Sequence, residues 1–185
     1  MEKKRLFDTN KIVGTGLLTA ILIVLQLLSS IIPSGVNLNL ALVPITLGAI
    51  LYGPLVGGFL GLICGVVILA SPNTVTVFMA ISPIGTVIAC LSKTAIAGVL
   101  AGFVYKLIGK KHDLLGAIVA SIIVPLINTL VFAIVTNIFF IDSFEGVNNF
   151  IEIFTILIGF NFVFEIITNT VMVPLIYKIQ RQVKH

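Results

Sequence analysis

Two ionisable side chains stand in stretches that are otherwise mostly apolar. Lys93 lies in "LSKTAIAGVL" and Glu165 in "GFNFVFEIITNTV". An ammonium or a carboxylate in such surroundings has to be offset by a partner, a ligand or water. Asn128, in "VPLINTLVFAI", and Asn161, four residues before Glu165, add amides that both donate and accept hydrogen bonds. If the last apolar segment is helical, Asn161, Glu165, Thr168 and Asn169 fall within an arc of about 100°. A polar stripe on an apolar helix points into a cavity or at a partner helix. Asn137 is nine residues from Asn128 and faces the opposite way. Two readings stay open: Lys93 and Glu165 form a structural ion pair, or they line a polar pocket into which a small solute inserts. Asn37 and Asn39, in the first outer loop, either close such a pocket or serve ordinary turn chemistry.

The chemistry these residues support is binding rather than catalysis. The sequence has no G-x-x-x-x-G-K-[ST] phosphate loop, no H-E-x-x-H and no G-x-S-x-G. No Ser–His or Cys–His set stands within the apolar segments, so an enzyme is not expected. Cys64 and Cys90 read as small buried side chains, and neither a metal site nor a cofactor is expected. His112 is in a polar loop and His185 is terminal. No basic patch with interleaved aromatics speaks for nucleic acid.

The elements that must position these groups follow from composition. Of the 185 residues, 58% are hydrophobic and 10% charged, against about a quarter charged in an ordinary soluble domain. Long apolar runs recur along the whole chain, so the solvent for most of the surface is a bilayer. The expected fold is all-α: one domain over 1–185, a polytopic bundle of six transmembrane helices. The segments are Ile12–Ile32, Leu38–Tyr52, Pro54–Ala70, Pro83–Leu107, Leu114–Ile141 and Phe150–Tyr177. A crossing helix needs roughly 20 residues. The second segment falls short and is expected to be tilted, kinked at Pro44, or shielded by neighbours. The first follows a basic "MEKKR" start but is longer than a signal core and is read as a retained helix.

Orientation follows from the basic residues. Lys3, Lys4, Arg5 and Lys11 precede the first segment; Lys106, Lys110 and Lys111 lie between the fourth and fifth; Lys178, Arg181 and Lys184 follow the sixth. With six crossings these fall on one side, which the positive-inside rule makes cytoplasmic, with both termini. Only Lys93 is left over. It stands thirteen residues before Lys106, as Glu165 stands thirteen before Lys178. That is about 20 Å of helical rise in each case, so the two are expected at similar depth. Small residues are spaced for close packing: Gly57, Gly61 and Gly65 in the third segment, Gly98 and Gly102 in the fourth, Gly16 and Ala20 in the first.

The run "LALVPITLGAILYGPLVGGFLGLICGVV" resembles the second and third helices of S components, the substrate-capture subunits of bacterial energy-coupling factor (ECF) vitamin transporters. Its most specific part is P-[IT]-x-x-G-x-x-x-x-G-P-x-x-G-x-x-x-G, from Pro44 to Gly61. "KTAIAGVLAGFVYKLIG", "VPLINTLVFAI" and "GFNFVFEIITNTVMVPLIYKI" fit later helices, so the likeness covers essentially the whole chain. The resemblance implies a multi-pass subunit of the bacterial cell membrane that binds a vitamin near the outer face. Its partners would be a transmembrane coupling protein and two ATPase subunits. Docking in that family uses small residues on the first helix, often alanine-x-x-x-alanine; Gly16 and Ala20 are the nearest match, with glycine as a departure. The resemblance also suggests Asn37, Lys93, Asn128, Asn161 and Glu165 as substrate-binding positions. A site for carboxylate, amide and hydroxyls points to pantothenate, although related chains carry riboflavin, cobalamin and other vitamins. The competing readings are an autonomous ion-coupled carrier and a non-transport membrane scaffold.

Overall fold

The computed structural model describes residues 9–31, 39–140 and 159–183, and all regular structure among them is helical. Helix α1 (Thr9–Ile31) comes first. Its Leu18, Leu22, Gln26 and Ser29 are buried, while Val13, Leu17, Ile21, Val24 and Leu28 are exposed. The buried set repeats every three or four residues, the period of one helical face. That inward stripe is apolar in the middle of the helix and polar towards its C-terminal end.

Helix α2 (Leu42–Tyr52) starts four residues later than the expected Leu38. A turn through Asn39–Ala41 intervenes, with Leu42 N–H donating to the Asn39 carbonyl at 3.2 Å. Pro44 therefore falls in the first turn, where its missing N–H has no intrahelical partner to lose, and it does not act as a mid-helix kink. Eleven residues rise only about 16 Å, too short to cross alone. Eight of them, from Leu42 and Pro44 to Ile50, are buried, so neighbouring helices shield this segment from lipid. Gly53 then turns the chain at φ 94°, a conformation natural to glycine, and Pro54 opens α3 (Pro54–Leu69) at its first position.

Beyond α3 the expected outer loop is largely helical. A π-helical turn (Thr74–Phe78) runs into the single turn α4 (Met79–Ile81), bent 72° from α3. Ser82 then caps α5 (Pro83–Ile108) by accepting from Gly85 N–H at 3.3 Å, with Pro83 at the first helical position. The tight turn to α6 (Asp113–Phe140) carries a hydrogen bond from the Tyr105 hydroxyl to the Asp113 carboxylate. The sixth expected segment, Phe150–Tyr177, is described from Gly159 onward and departs from one continuous helix. Helix α7 (Gly159–Val171) gives way at Met172 to α8 (Val173–Val183). Pro174 has no N–H to bond back to Thr170, which accounts for a break at this place.

Helices α1, α5 and α6, and the α7–α8 run taken together over Asn161–Ile179, are long and apolar enough to cross a membrane, four crossings in all among the described residues, or five if the bent pair after Pro54 counts as one. The second expected crossing, α2, does not meet that length. The bundle centres on α5, which packs most extensively against α3 and next against α6. At the α3–α5 seam, a Cβ on Gly57 would run into the Gly98 backbone, one on Gly61 into Thr94, and one on Gly65 into Cys90. The hydroxyl of Thr94 donates to the Gly61 carbonyl at 2.6 Å. These helices touch backbone to backbone, and the spaced glycines are what permits it.

Candidate functional site

A cavity of about 390 Å³ opens at the end of the bundle away from Lys106, Lys110, Lys178 and Arg181. Its walls come from most elements of the fold. Helix α1 contributes Gln26, Ser29 and Ser30, the polar end of its inward stripe. The bent segment after α3 contributes Ser71, Thr74 and Phe78, with Ser71 and Thr74 joined through their hydroxyls at 2.8 Å. Helix α5 supplies Thr86, Cys90 and Lys93; α6 supplies Asn128, Thr129, Phe132 and Phe140; α7 supplies Asn161 and Glu165.

The two charged groups do not neutralise each other directly. Among the described residues no ion pair within 4.0 Å joins Lys93 to Glu165. The Lys93 ammonium lies 4.6 Å from the centre of the Phe132 ring, within cation–π range. Phe132 belongs to an aromatic wall in which Phe78 stands edge-on to both Phe132 and Phe140, at 5.9 and 5.7 Å between centroids. Glu165 is only 8% exposed and accepts from Asn128 Nδ2 at 3.3 Å. The Asn39 backbone amide is near the same carboxylate.

Two acceptor oxygens stand out. Asn128 Oδ1 and Asn161 Oδ1 are buried with no hydrogen-bond partner among the described residues. A buried polar group left unpaired costs roughly 1–3 kcal/mol, so such atoms are usually satisfied by something that enters the space they face. Together the walls offer one cation, one carboxylate, amide oxygens and an aromatic face around a hollow the size of a small organic molecule. No group of three or more metal-ligating side chains occurs among the described residues.

The sequence-derived candidates separate as follows. Lys93, Asn128, Asn161 and Glu165 line this one cavity, and so does Asn39. Asn37 lies outside the described residues. Asn137 does not line the cavity. Asn169, in the same stripe as Glu165, is 1% exposed and meets Thr46 of α2, whose hydroxyl lies 3.4 Å from Asn169 Oδ1. Gly16 and Ala20 are exposed on α1, and a Cβ on Gly16 would meet nothing within 4 Å.

Several lining residues escaped the sequence reading. Gln26 and Ser29 continue the Leu18–Leu22 period of α1, and that continuation was the available signal. Phe132, one turn after Asn128, shares its face. Phe78 carried no signal, because the bend after α3 that brings it over the cavity is not written in local periodicity.

A family model described as ECF transporter, substrate-specific component, matches residues 10–177. Neither the curated proteins nor the solved structures yield a match. The family match runs through every described helix except the last turns of α8. It agrees with a lipid-facing helical bundle that holds a polar cavity near one end, and the chain belongs to the substrate-specific components of ECF transporters, multi-pass membrane proteins that are binding subunits of transporters rather than enzymes.

Proposed function

We propose that this subunit captures a water-soluble vitamin from the outer side of the membrane and holds it in the cavity between α5, α6 and α7. Uptake would be driven by a separate module of one transmembrane coupling protein and two ATPases. The observation that carries this reading is the meeting of Lys93, Glu165 and two asparagine oxygens without a partner among the described residues around a hollow of about 390 Å³. Intramembrane ions are costly and mark pathways and binding sites more often than packing. Positive-inside logic puts Lys106, Lys110, Lys111, Lys178 and Arg181 in the cytoplasm, so the cavity faces outward.

Pantothenate is the leading candidate. Its carboxylate suits Lys93, and its hydroxyls and amide suit Glu165, Asn128 and Asn161. Riboflavin and cobalamin are the named alternatives. Asn37 joins this proposal as a residue that closes the site from the loop. Gly16 and Ala20 on the exposed face of α1 are the proposed contact with the coupling protein, because small side chains there let another helix approach closely.

The test is a panel of vitamins added to the purified chain while its melting temperature is followed. A ligand that binds the folded state alone raises that temperature by mass action, by about 2.7 kcal/mol of stabilisation at a hundred times Kd. Co-purification of ATPase subunits with the tagged chain tests the partners. Solute accumulation by proteoliposomes holding this chain alone under an ion gradient would instead support the autonomous carrier. Absence of both a ligand and ATPase partners would support the scaffold.

A further inference from the structure

The geometry points to a binding site for the phosphate headgroup of an anionic phospholipid on the outward face of α8, between Tyr177, Lys178, Arg181 and Gln182. The site lies at the basic end of the bundle, and it does not depend on what fills the cavity at the other end.

Helix α8 divides into two faces. Val173 and Ile176 are buried, and Met172 and Ile179 pack partly against the same core. These positions repeat every three or four residues and form the stripe that rests on α6 and α2. The opposite face carries Leu175, Lys178, Arg181 and Gln182, all exposed, and it changes character along its length. Leu175 continues the exposed apolar row of Val163, Ile167 and Val171, four residues apart on α7. Lys178 follows Leu175 by about 4.5 Å of helical rise and Arg181 by about 9 Å. The apolar span ends at Ile179, between the two cations. One face thus meets acyl chains at Leu175 and reaches headgroup depth at Lys178 and Arg181.

Side-chain direction sharpens this placement. In a helix the Cα–Cβ bond leans towards the N-terminus, and α8 leads out of the span, so its cations lean back towards the bilayer. The guanidinium carbon of Arg181 lies 5.9 Å from the centre of the Tyr177 ring, one turn nearer the membrane and within cation–π reach. Tyrosine itself favours the membrane–water boundary. With Lys178 and Gln182 these two side chains border an open groove. Its rim offers an ammonium, a guanidinium fork, a phenol and an amide, all able to donate hydrogen bonds. Helix α8 contains no acidic residue, and neither cation has a carboxylate within 4.0 Å among the described residues. A phosphodiester is the anion that a bilayer supplies at this depth, and a guanidinium matches phosphate oxygens in pairs. An acidic protein surface would match the charge, but the exposed Leu175 one turn away calls for an acyl chain.

The experiment is native mass spectrometry of the purified full chain released from micelles holding phosphatidylglycerol and phosphatidylcholine in equal amounts. A phosphatidylglycerol adduct should be preferred by roughly tenfold or more, since each cation near the surface contributes about a fivefold gain. No preference in the parent chain overturns the assignment. Lys178→Gln combined with Arg181→Gln should remove most of the preference. Lys110→Gln combined with Lys111→Gln, which deletes the same charge at the same end, should keep it. Equal losses in the two double variants mean diffuse attraction and overturn the site on α8. All four side chains are exposed, so the variants should melt like the parent, and a lost adduct then reports binding rather than folding. Displacement of the lipid by inorganic phosphate would make the groove a site for free phosphate and end the lipid assignment. Loss of ATPase co-purification in the Lys178, Arg181 variant, with its lipid preference intact, would give the face to a protein partner instead.

Discussion

Helices α3 and α5 behave in opposite ways at their two ends. From Pro54 against Gly102, through Gly57 against Gly98 and Gly61 against Thr94, to Gly65 against Cys90, the helices lie so close that no Cβ fits between them. Past Cys90 they stop touching in this way, and Ile68 and Ser71 on one side and Ala89 and Thr86 on the other line the cavity. The seam ends where the hollow begins. The closed end gains dispersion contact at every turn, and the open end keeps polar groups that no described residue satisfies. Rigidity at one end is what fixes the other. Thr94 is held against Gly61 by its hydroxyl, so its neighbour Lys93 is held facing the cavity and Phe132.

Breaking the seam should have the largest effect. In Gly61→Val the new side chain would collide with backbone at Thr94 and Ala95, which cannot move aside as a side-chain tip can. Overpacking costs typically about 1–3 kcal/mol, occasionally more, and this substitution should reach the upper end. The folded fraction after size-exclusion chromatography should collapse; a variant that melts like the parent would remove the backbone-contact claim.

The open end should respond in the opposite sense. Lys93→Ala is expected to weaken vitamin binding by roughly a hundredfold, the loss of a charge-assisted contact, while leaving the melting temperature of the ligand-free protein unchanged or slightly raised. Removing an intramembrane charge with no carboxylate within 4.0 Å among the described residues relieves a cost that Glu165, on the same cavity, offsets only in part. Calorimetry and thermal unfolding on the same preparation check both halves, and a large fall in stability would turn Lys93 into a structural residue.

Two smaller effects sharpen the contrast. Thr94→Val deletes the bond to Gly61 and should cost about 0.5–1.5 kcal/mol, visible as a modest fall in melting temperature with little change in the enthalpy of ligand binding. Gly16→Leu should leave the melting of the isolated chain unchanged, because nothing lies within 4 Å of the added carbon. Its effect should appear only as weaker co-purification of the ATPase subunits, and an unaltered yield would remove α1 from the docking surface.

Much of this contrast is legible in the sequence, for a physical reason. The spacing of Gly57, Gly61, Gly65 and Gly98 states that two helices can approach, since glycine is the residue that brings backbone to backbone. The thirteen-residue intervals from Lys93 to Lys106 and from Glu165 to Lys178 predict a common level for both ions, because helical rise per residue is constant. The two do line one cavity, although the break at Met172 interrupts the second interval. Helical period also separates Asn128 from Asn137, and in the fold Asn128 lines the cavity whereas Asn137 does not. The pattern was weaker for α2. Its eleven residues cannot say whether they are tilted, kinked or shielded, and burial among neighbours decided the matter.

The sequence by itself determined that the chain is helical, its apolar environment and the short list of polar groups that lipid cannot accommodate, since all three depend on local composition and a fixed period. Only the tertiary structure decided which of those groups meet. It set Glu165 beside Asn128 instead of against Lys93, laid Lys93 over Phe132, sent Asn169 to Thr46, and folded the segment after α3 so that Phe78 covers the cavity. A period gives a side chain's direction about its own helix axis. The rotation and separation of that axis relative to its neighbours come from the side chains packed between them, and those contacts join residues far apart in the chain.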